Sequence, residues 1–344
     1  MQYVTTRSKD KFYSCLPAIA DDRALDGGLY LPAQSLVFSR EEVEALSLKN
    51  PNQAVAEVLN RLFDCDLNRW SVDFAVGRYP VRLRTMNRHI AIAEAWHNQD
   101  WELSRVIDDL AALVRGIRPG TLSTGSWAQV AVRVAVLFGI FSELMRDGIV
   151  RPEQTVDVAV PSADLTAAAA ALFAKSWGLP IGNIIVSCNE NNNFWNLVNY
   201  GELRTQGTPY ATATPMCDQM LPLGLEWILH CCGGEAEVAN LDAALREGKS
   251  FYAQELTLQK LQQHFRVSVV SQNRVHGTIS NVYKDCGYVF GPYSALTYAG
   301  IQDYRTKSGS DDYALLLSER GALCDDGMVA GKLNMAVSEL HRTL

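Results

Sequence analysis

The chain has 344 residues, of which 48% are hydrophobic and 20% are charged. This composition is typical of a globular protein with one large core or two modest ones. The formal net charge of -7, and a sequence without Lys- and Arg-rich blocks interleaved with aromatics, argue against nucleic acid as a partner.

The cysteines and the apolar runs indicate the cellular compartment in which the protein is expected. Eight cysteines are scattered without a CxxC motif or a metal-like Cys/His spacing, and the first residues lack the apolar segment of a signal peptide. The longest apolar run, Val134 to Phe141, is too short to cross a bilayer and predicts a buried helix. We therefore expect reduced thiols, a cytoplasmic location and no membrane partner.

The first part of the chain predicts a small N-terminal domain, residues 1–90, ahead of a core domain, residues 91–344. Asp26 to Pro32 predicts a turn followed by a short strand. Glu41 to Phe63 predicts a helix because its apolar residues recur at helical spacing.

The core domain alternates strand and helix patterns. Its predicted strands are Ile90 to Ala95, Val156 to Val160, Ile184 to Ser187, Val267 to Ser271 and Tyr313 to Ser318. Its predicted helices cover about 101–115, 126–147, an alanine-rich stretch after residue 165, 221–231, 240–265 and 328–344. This order predicts an α/β fold in which a mostly parallel sheet is flanked by helices on both faces.

One unit, Val158 to Asn193, resembles the phosphate-binding segment of threonine synthases, which are fold-type II pyridoxal phosphate (PLP) enzymes. A strand, a short turn, an alanine-rich helix, Gly178-Leu179-Pro180 and a second strand follow in the same order. The opening Tyr3-Val4-Thr5-Thr6-Arg7 and the later Asp-Gly-Gly-Leu-Tyr-Leu-Pro also resemble the family's N-terminal domain. The resemblance implies a threonine synthase-like scaffold.

The matching positions depart from the family at the cofactor. Ala163 to Ala167 stand where the family has a Gly-Asn-Phe-Gly-Asp phosphate loop, although Ser162 and Thr166 can still hold an anion at a helix N-terminus. Ser104 falls where the family carries its Schiff-base lysine, and a hydroxyl cannot form that imine. The resemblance therefore implies a chain without a cofactor, since PLP would lack its anchor.

Two further segments follow the family pattern. The chain passes almost directly from Arg115 to Leu122, so the family's small mobile domain is expected to be deleted. The segment Tyr313 to Ala322 resembles the family's strand ending in Thr-Ala-His-Pro-Ala, which places Ser318 near the old pyridine site. A homodimer would cover the flank that the deletion exposes.

Candidate catalytic residues cluster around the strand that ends near Glu94. This carboxylate precedes Trp96, and apolar surroundings would raise its pKa and suit it to proton transfer; the alternative is a carboxylate that fixes a loop. His97 is a candidate proton shuttle or, more simply, a helix cap.

Charged and aromatic side chains nearby are candidates for substrate binding. An arginine can clamp a substrate carboxylate, and the candidates are Arg69, Arg82 and Arg84. Trp96 and Trp101 can stack on a flat ring, although core packing is the ordinary role of a tryptophan.

Three functions remain open. The first is a PLP-independent enzyme that joins an amino acid to a carbonyl compound by acid–base catalysis, as in the Pictet-Spengler condensation of tryptophan with an aldehyde. This hypothesis draws on a resemblance to bacterial β-carboline-forming enzymes, which are cofactor-free homodimers. The second is a noncatalytic protein that binds a metabolite or a protein. The third is a working threonine synthase that uses another lysine, such as Lys307.

Overall fold

The computed structural model describes residues 1–76, 81–95 and 125–344. Its strands are β1 Tyr3–Thr5, β2 Tyr30–Pro32, β3 Arg82–Asn87, β4 Ile90–Glu94, β5 Val156–Pro161, β6 Ile181–Cys188, β7 Glu202–Leu203, β8 Phe251–Tyr252, β9 Phe265–Val269 and β10 Ala314–Ser318. Its helices are α1 Cys15–Ala20, α2 Arg40–Ala45, α3 Pro51–Phe63, α4 Arg69–Val76, α5 Trp127–Arg146, α6 Thr166–Ser176, α7 Asn193–Tyr200, α8 Leu225–Glu247, α9 Glu255–His264, α10 Gln272–Cys286, α11 Pro292–Ser308, α12 Asp326–Leu333 and α13 Val337–Thr343.

The central sheet has six strands in the order β3-β4-β10-β5-β6-β9. All neighbouring pairs are parallel except β3 and β4, which form an antiparallel hairpin at one edge. The predicted α/β class, with a mostly parallel sheet flanked by helices, is confirmed. The carboxyl ends of β4, β10 and β5 lie side by side, and ligands of open α/β sheets bind outside such ends.

The two faces of the sheet bury different side chains. In β4, Ala91 and Ala93 pack into a core beneath α3, α5 and α6, whereas Ile90 and Ile92 pack into a second core beneath α10 and α11. Successive side chains of a strand point to opposite faces, so Glu94 lies on the face of Ile90 and Ile92. The carboxylate therefore points toward the α10–α11 layer.

Helix α5 is the central helix of the larger core. Ser126 caps its first turn, because the Ser126 hydroxyl accepts a hydrogen bond from the Ala128 amide. Within the described ranges it is the one helix long and apolar enough to cross a membrane, and 89% of its most apolar window is buried inside the protein. Core packing accounts for its apolar composition.

Two predicted helices are each divided into two. Asn50 forms a capping box ahead of Pro51, so the predicted helix from Glu41 to Phe63 ends at α2 and begins again at α3. A proline fits the first turn of a helix because its missing N–H has no partner there. The final helix breaks at Asn334, which takes a left-handed conformation with φ 55° between α12 and α13.

Helices α10 and α11 were not predicted, and the segment over 248–254, which contains the short strand β8, interrupts the predicted helix over 240–265. Val275, Thr278, Ile279 and Val282 of α10 are buried at helical spacing within a mostly polar sequence. The predicted helix over 101–115 lies outside the described residues. The predicted domain boundary falls within the β3–β4 hairpin, and the N-terminal segment packs on α8, where Trp227 Nε1 donates to the Tyr30 carbonyl at 2.9 Å.

Candidate active site

Three of the predicted site residues lie at the carboxyl ends of adjacent strands. Glu94 is the last residue of β4 and is in register with Ser318, the last residue of β10. The Ala95 amide donates to the Ser318 carbonyl at 2.8 Å, which extends this pairing by one residue. Ser162 follows β5, the next strand in the sheet. The sheet thus places Glu94, Ser318 and Ser162 at the carboxyl ends of three adjacent strands.

Glu94 is buried but polar contacts surround its carboxylate. Its side chain is 4% exposed, and Oε1 accepts a 2.6 Å hydrogen bond from the Tyr288 hydroxyl. Oε2 lies 3.8 Å from Nε of Arg82 and 3.8 Å from Nε of Arg84. The two carboxylate oxygens therefore face different partners, a phenol on one side and two guanidinium groups on the other.

A cavity of about 400 Å³ opens at this carboxylate. Its polar lining includes Arg82, Arg84, Glu94 and Tyr288, and its apolar lining includes Met86, Val289 and Leu344. Burial and the neighbouring Glu94 carboxylate raise the pKa of Tyr288 above its ordinary value. Tyr288 therefore stays protonated and donates to Glu94 across the physiological pH range.

Ser318 lies beside this cavity and not within its lining. Its hydroxyl is 2.7 Å from the hydroxyl of Ser294 in the first turn of α11, and both side chains are buried. The Ser318 hydroxyl also contacts the Arg320 carbonyl at 3.3 Å. These contacts hold the end of β10 against α11.

Ser162 and Thr166 flank the N-terminus of α6, as the sequence predicted. Both hydroxyls are buried. The thiols of Cys188 and Cys217 lie next to Ser162, and burial raises the pKa of Cys188 to about 12 and that of Cys217 to about 11. These thiols are therefore protonated and unreactive at neutral pH.

The carboxylate of Asp164 is bound at the N-terminus of α6. Oδ1 of Asp164 accepts a 2.9 Å hydrogen bond from the Thr166 amide, and Leu165 between them takes a left-handed conformation with φ 59°. Gly224 closes over this turn, where a Cβ would come 2.3 Å from the Leu165 carbonyl carbon. A carboxylate at this position repels a second anion at short range.

An ion pair between Arg133 and Glu319 lies near the α6 turn. Nε and Nη2 of Arg133, from α5, donate to the two carboxylate oxygens of Glu319 at 2.8 and 2.9 Å. Burial disfavours the charged form, but the carboxylates of Glu319 and Asp164 raise the pKa of Arg133 above its ordinary value. Arg133 is therefore a permanent cation beside the α6 turn.

Arg69 is not brought to the Glu94 cavity by any contact of the described residues. Its Nε lies 3.3 Å from Asp73 within α4, and its guanidinium is stacked over the exposed ring of Trp70. Four other candidates lie outside the described residues, namely Trp96, His97, Trp101 and Ser104. Among the described residues, no group of three or more His, Cys, Asp or Glu side chains is placed to hold a metal ion.

Solved structures with the same architecture are threonine synthases. The PLP-bound enzyme of Brucella melitensis matches with a TM-score of 0.83 and 18% identity, over 96% of this chain and 91% of that chain. The yeast enzyme matches with a TM-score of 0.83 and 16% identity, over 97% of this chain and 90% of that chain. The fold is that of threonine synthase.

Sequence similarity to curated proteins covers a shorter part of the chain. Threonine synthase-like 1 of Pongo abelii is 24% identical over 186 residues, which are 53% of this chain and 25% of that protein. Threonine synthase of Pseudomonas aeruginosa is 23% identical over 195 residues, which are 56% of this chain and 40% of that protein. The chain thus spans a quarter to two fifths of these relatives. No protein-family model matches it.

The residues at the α6 turn do not fit the PLP that the threonine synthase fold implies. A PLP phosphate would need backbone N–H groups at this N-terminus, where the Asp164 carboxylate is already bound. The site contains no glycine-rich cradle, because Ala163 to Ala167 carry side chains.

Neither Lys175 nor Lys307 lies at this turn. The chain's lysines all fall within the described ranges, at Lys9, Lys11, Lys49, Lys175, Lys249, Lys260, Lys284, Lys307 and Lys332. Lys175 Nζ donates to the Gly182 carbonyl at the opposite, amino end of β6. Lys307 lies near the end of α11, about 20 Å along the helix from Ser294.

The sequence did not indicate Tyr288, Arg133, Glu319 or Asp164 as site residues. Both Tyr288 and Glu319 come from the second half of the chain: Glu319 reaches the site because β10 pairs with β4 and β5, and Tyr288 reaches it because α10 packs on the sheet. Asp164 does carry a local signal, since Asp commonly accepts the amide two residues on. The stretch Ser162 to Thr166 carries that signal at Asp164 and Thr166.

Proposed function

We propose that the protein is a PLP-independent enzyme in which Glu94 transfers a proton. One observation carries this proposal: a buried carboxylate, held by Tyr288, faces a cavity of about 400 Å³ together with Arg82 and Arg84. Cavities of this size hold a molecule as large as an aromatic amino acid. The misfit of PLP to the α6 turn supports a reaction that needs only acid–base groups and orientation.

The specific reaction that we propose is a Pictet-Spengler condensation of tryptophan with an aldehyde or keto compound. The amine adds to the carbonyl carbon, and water leaves as the imine forms. The indole ring then attacks the imine carbon, which forms the new carbon–carbon bond, and the imine nitrogen takes up a proton. Glu94 removes the proton from the attacked ring carbon and restores the aromatic indole. The products are a tetrahydro-β-carboline and one water.

The proposal has a direct test with the full-length chain. The protein is incubated with L-tryptophan and a panel of aldehydes and α-keto acids, and cyclised products are measured by mass spectrometry. We expect product with the wild-type protein and a loss of about 100-fold or more in Glu94→Gln, as is usual for a general base. Glu255→Gln, which changes an exposed carboxylate on α9, is the matched control and should retain the wild-type rate.

Two results would contradict this function. If no product forms while tryptophan still raises the melting temperature, the chain binds a metabolite without turnover. If Glu94→Gln retains the wild-type rate, Glu94 is not the base. A threonine synthase activity would require PLP absorbance in the purified protein that Lys307→Ala abolishes.

We also propose a homodimer in a reducing compartment such as the cytoplasm. All eight cysteines are free thiols, which supports a reducing environment. Large apolar side chains at the surface, including Leu48 and Trp70, support burial against a second copy. Light scattering on a sizing column measures the mass, and a mass near 38.0 kDa would indicate a monomer instead.

A further inference from the structure

We propose that Arg82 and Arg84 together bind the carboxylate of an organic acid and place its reacting atoms on Oε2 of Glu94. This inference rests on the proposed function, because it assigns the substrate class and its orientation to the same cavity. The ligand class is a small carboxylic acid with an apolar body.

The geometry of the β3–β4 hairpin brings both arginines next to Glu94. Arg82 and Arg84 are two residues apart on one strand, so their side chains leave the same face about 7 Å apart. Arg82 lies directly opposite Glu94 in the hairpin register, and Arg84 lies diagonally from it. A carboxylate bound between the two arginines is therefore adjacent to Glu94.

Both guanidinium groups have unused hydrogen-bonding capacity. Each has five N–H donors, yet neither arginine donates a hydrogen bond to a described residue, and both Nε atoms lie 3.8 Å from Oε2 of Glu94. Their side chains are 57% and 46% exposed. Planar guanidinium groups with open donors match the two oxygens of a carboxylate.

The charged side chains in the described lining of the cavity are Arg82, Arg84 and Glu94. Because Tyr288 is neutral, these described side chains carry one net positive charge, which favours an anionic ligand. The lining also includes Met86, Val289 and Leu344, whose apolar side chains suit a hydrocarbon or aromatic body.

The two carboxylate oxygens of Glu94 have different neighbours. Oε1 accepts the Tyr288 hydroxyl, whereas Oε2 lies on the arginine side. A ligand whose carboxylate sits between the arginines therefore presents its neighbouring atoms to Oε2. Tyr288 is a positioning residue in this arrangement, because it fixes the rotation of the carboxylate.

Calorimetric titration of the full-length protein tests this inference without turnover. The probes are L-tryptophan, indole-3-propanoate, which lacks the amine, and tryptamine, which lacks the carboxylate. We expect both acids to bind, and tryptamine to bind at least about tenfold more weakly. Arg82→Gln and Arg84→Gln should each weaken the acids by about tenfold and leave tryptamine unchanged. The matched control Arg88→Gln changes an exposed arginine of the same hairpin and should bind as the wild type does.

The inference is overturned if tryptamine binds as well as the acids, if both glutamine variants bind the acids like the wild type, or if neither acid binds at millimolar concentration. Thermal melts show whether each variant is folded. Carboxylate-dependent binding without any cyclised product would refute the proposed function and leave the carboxylate site standing. Product formation at the wild-type rate in Arg82→Gln and Arg84→Gln would refute the carboxylate site alone.

Discussion

The phenolic hydroxyl of Tyr288 donates a 2.6 Å hydrogen bond to Oε1 of Glu94, although 194 positions separate the two residues in the chain. Glu94 ends β4, and Tyr288 follows Gly287, which ends α10 in a left-handed conformation with φ 71°. The bond therefore links the edge of the sheet to the helical layer that covers it.

Replacing this phenol tests the link. We expect Tyr288→Phe to lower the free energy of unfolding by about 1.5–3 kcal/mol, because a buried carboxylate loses a hydrogen bond that is not replaced. Tyr298→Phe, on α11, is the matched control because Tyr298 is packed against the same Phe290 ring without contacting Glu94. Chemical denaturation measures both variants, and equal stability of the two would contradict the prediction.

The ion pair between buried Arg133 and half-buried Glu319 predicts an asymmetric mutational response. Arg133→Met leaves the Glu319 carboxylate without its bidentate partner and should cost about 1–3 kcal/mol of unfolding free energy. The double variant Arg133→Met with Glu319→Gln should recover a large part of that loss, since no uncompensated charge remains. Equilibrium unfolding in urea provides the measurement. A double variant that is less stable than Arg133→Met would refute this account.

We expect the free energy of unfolding to fall as the pH is lowered, because His230 is buried in its neutral form. Burial, with a smaller contribution from the charge of Lys9, lowers the pKa of His230 to about 4 from 6.5, and both ring nitrogens lack a hydrogen-bond partner among the described residues. The unfolded chain therefore binds a proton near pH 6.5 and the folded chain only near pH 4. The stability due to neutral His230 is complete above pH 6.5 and falls by up to about 3 kcal/mol as the pH drops to 4.

A non-titrating variant isolates this effect. His230→Phe should flatten the dependence of the unfolding free energy on pH between 7 and 4, relative to the wild type. His341→Phe is the control, because His341 is exposed and pairs with Asp326 at the surface. If the pH dependence of His230→Phe matches that of the wild type, another group is responsible.

Asp218 organises the loop over 204–220. Its carboxylate accepts hydrogen bonds from the side-chain amides of Asn189 and Asn191 and from the backbone amide of Thr212, at 2.7–2.9 Å. Asp218→Ala should therefore increase amide hydrogen exchange across this loop and lower the unfolding free energy by about 2–3 kcal/mol. Asp311→Ala, at an exposed position, is the control. Unchanged exchange in the loop would show that other contacts hold it.

Much of the scaffold follows from local sequence patterns. The apolar runs that form β4, β5 and β10 are short and β-branched or aliphatic, and the strands formed where those runs predicted them. The boundary at which the first predicted helix divides also has a sequence signal, although the apolar periodicity continues across it. Asn50 is a capping residue, and Pro51 occupies the first helical position, where proline is favoured. This pair is stronger evidence for a helix start than apolar periodicity is for an uninterrupted helix.

Some residues of the candidate site also carry local sequence signals, and others do not. Glu94, Arg82 and Arg84 were candidates from the sequence, because Glu94 ends an apolar strand and the arginines closely precede that strand, although the β3–β4 hairpin that pairs them was not predicted. Tyr288 could not, since its contact with Glu94 depends on how α10 and α11 pack on the sheet. Arg69 illustrates the converse, because proximity in sequence suggested a shared role while its described ion pair is with Asp73.

Under the proposed PLP-independent function, the carboxylate of Asp164 has a consequence for any attempt to introduce PLP chemistry. A lysine introduced at position 104 would supply only the amine of an imine. The phosphate of PLP would still meet a charge of its own sign, bound to the Thr166 amide. On that proposal, replacement of Asp164 must precede the introduction of the lysine.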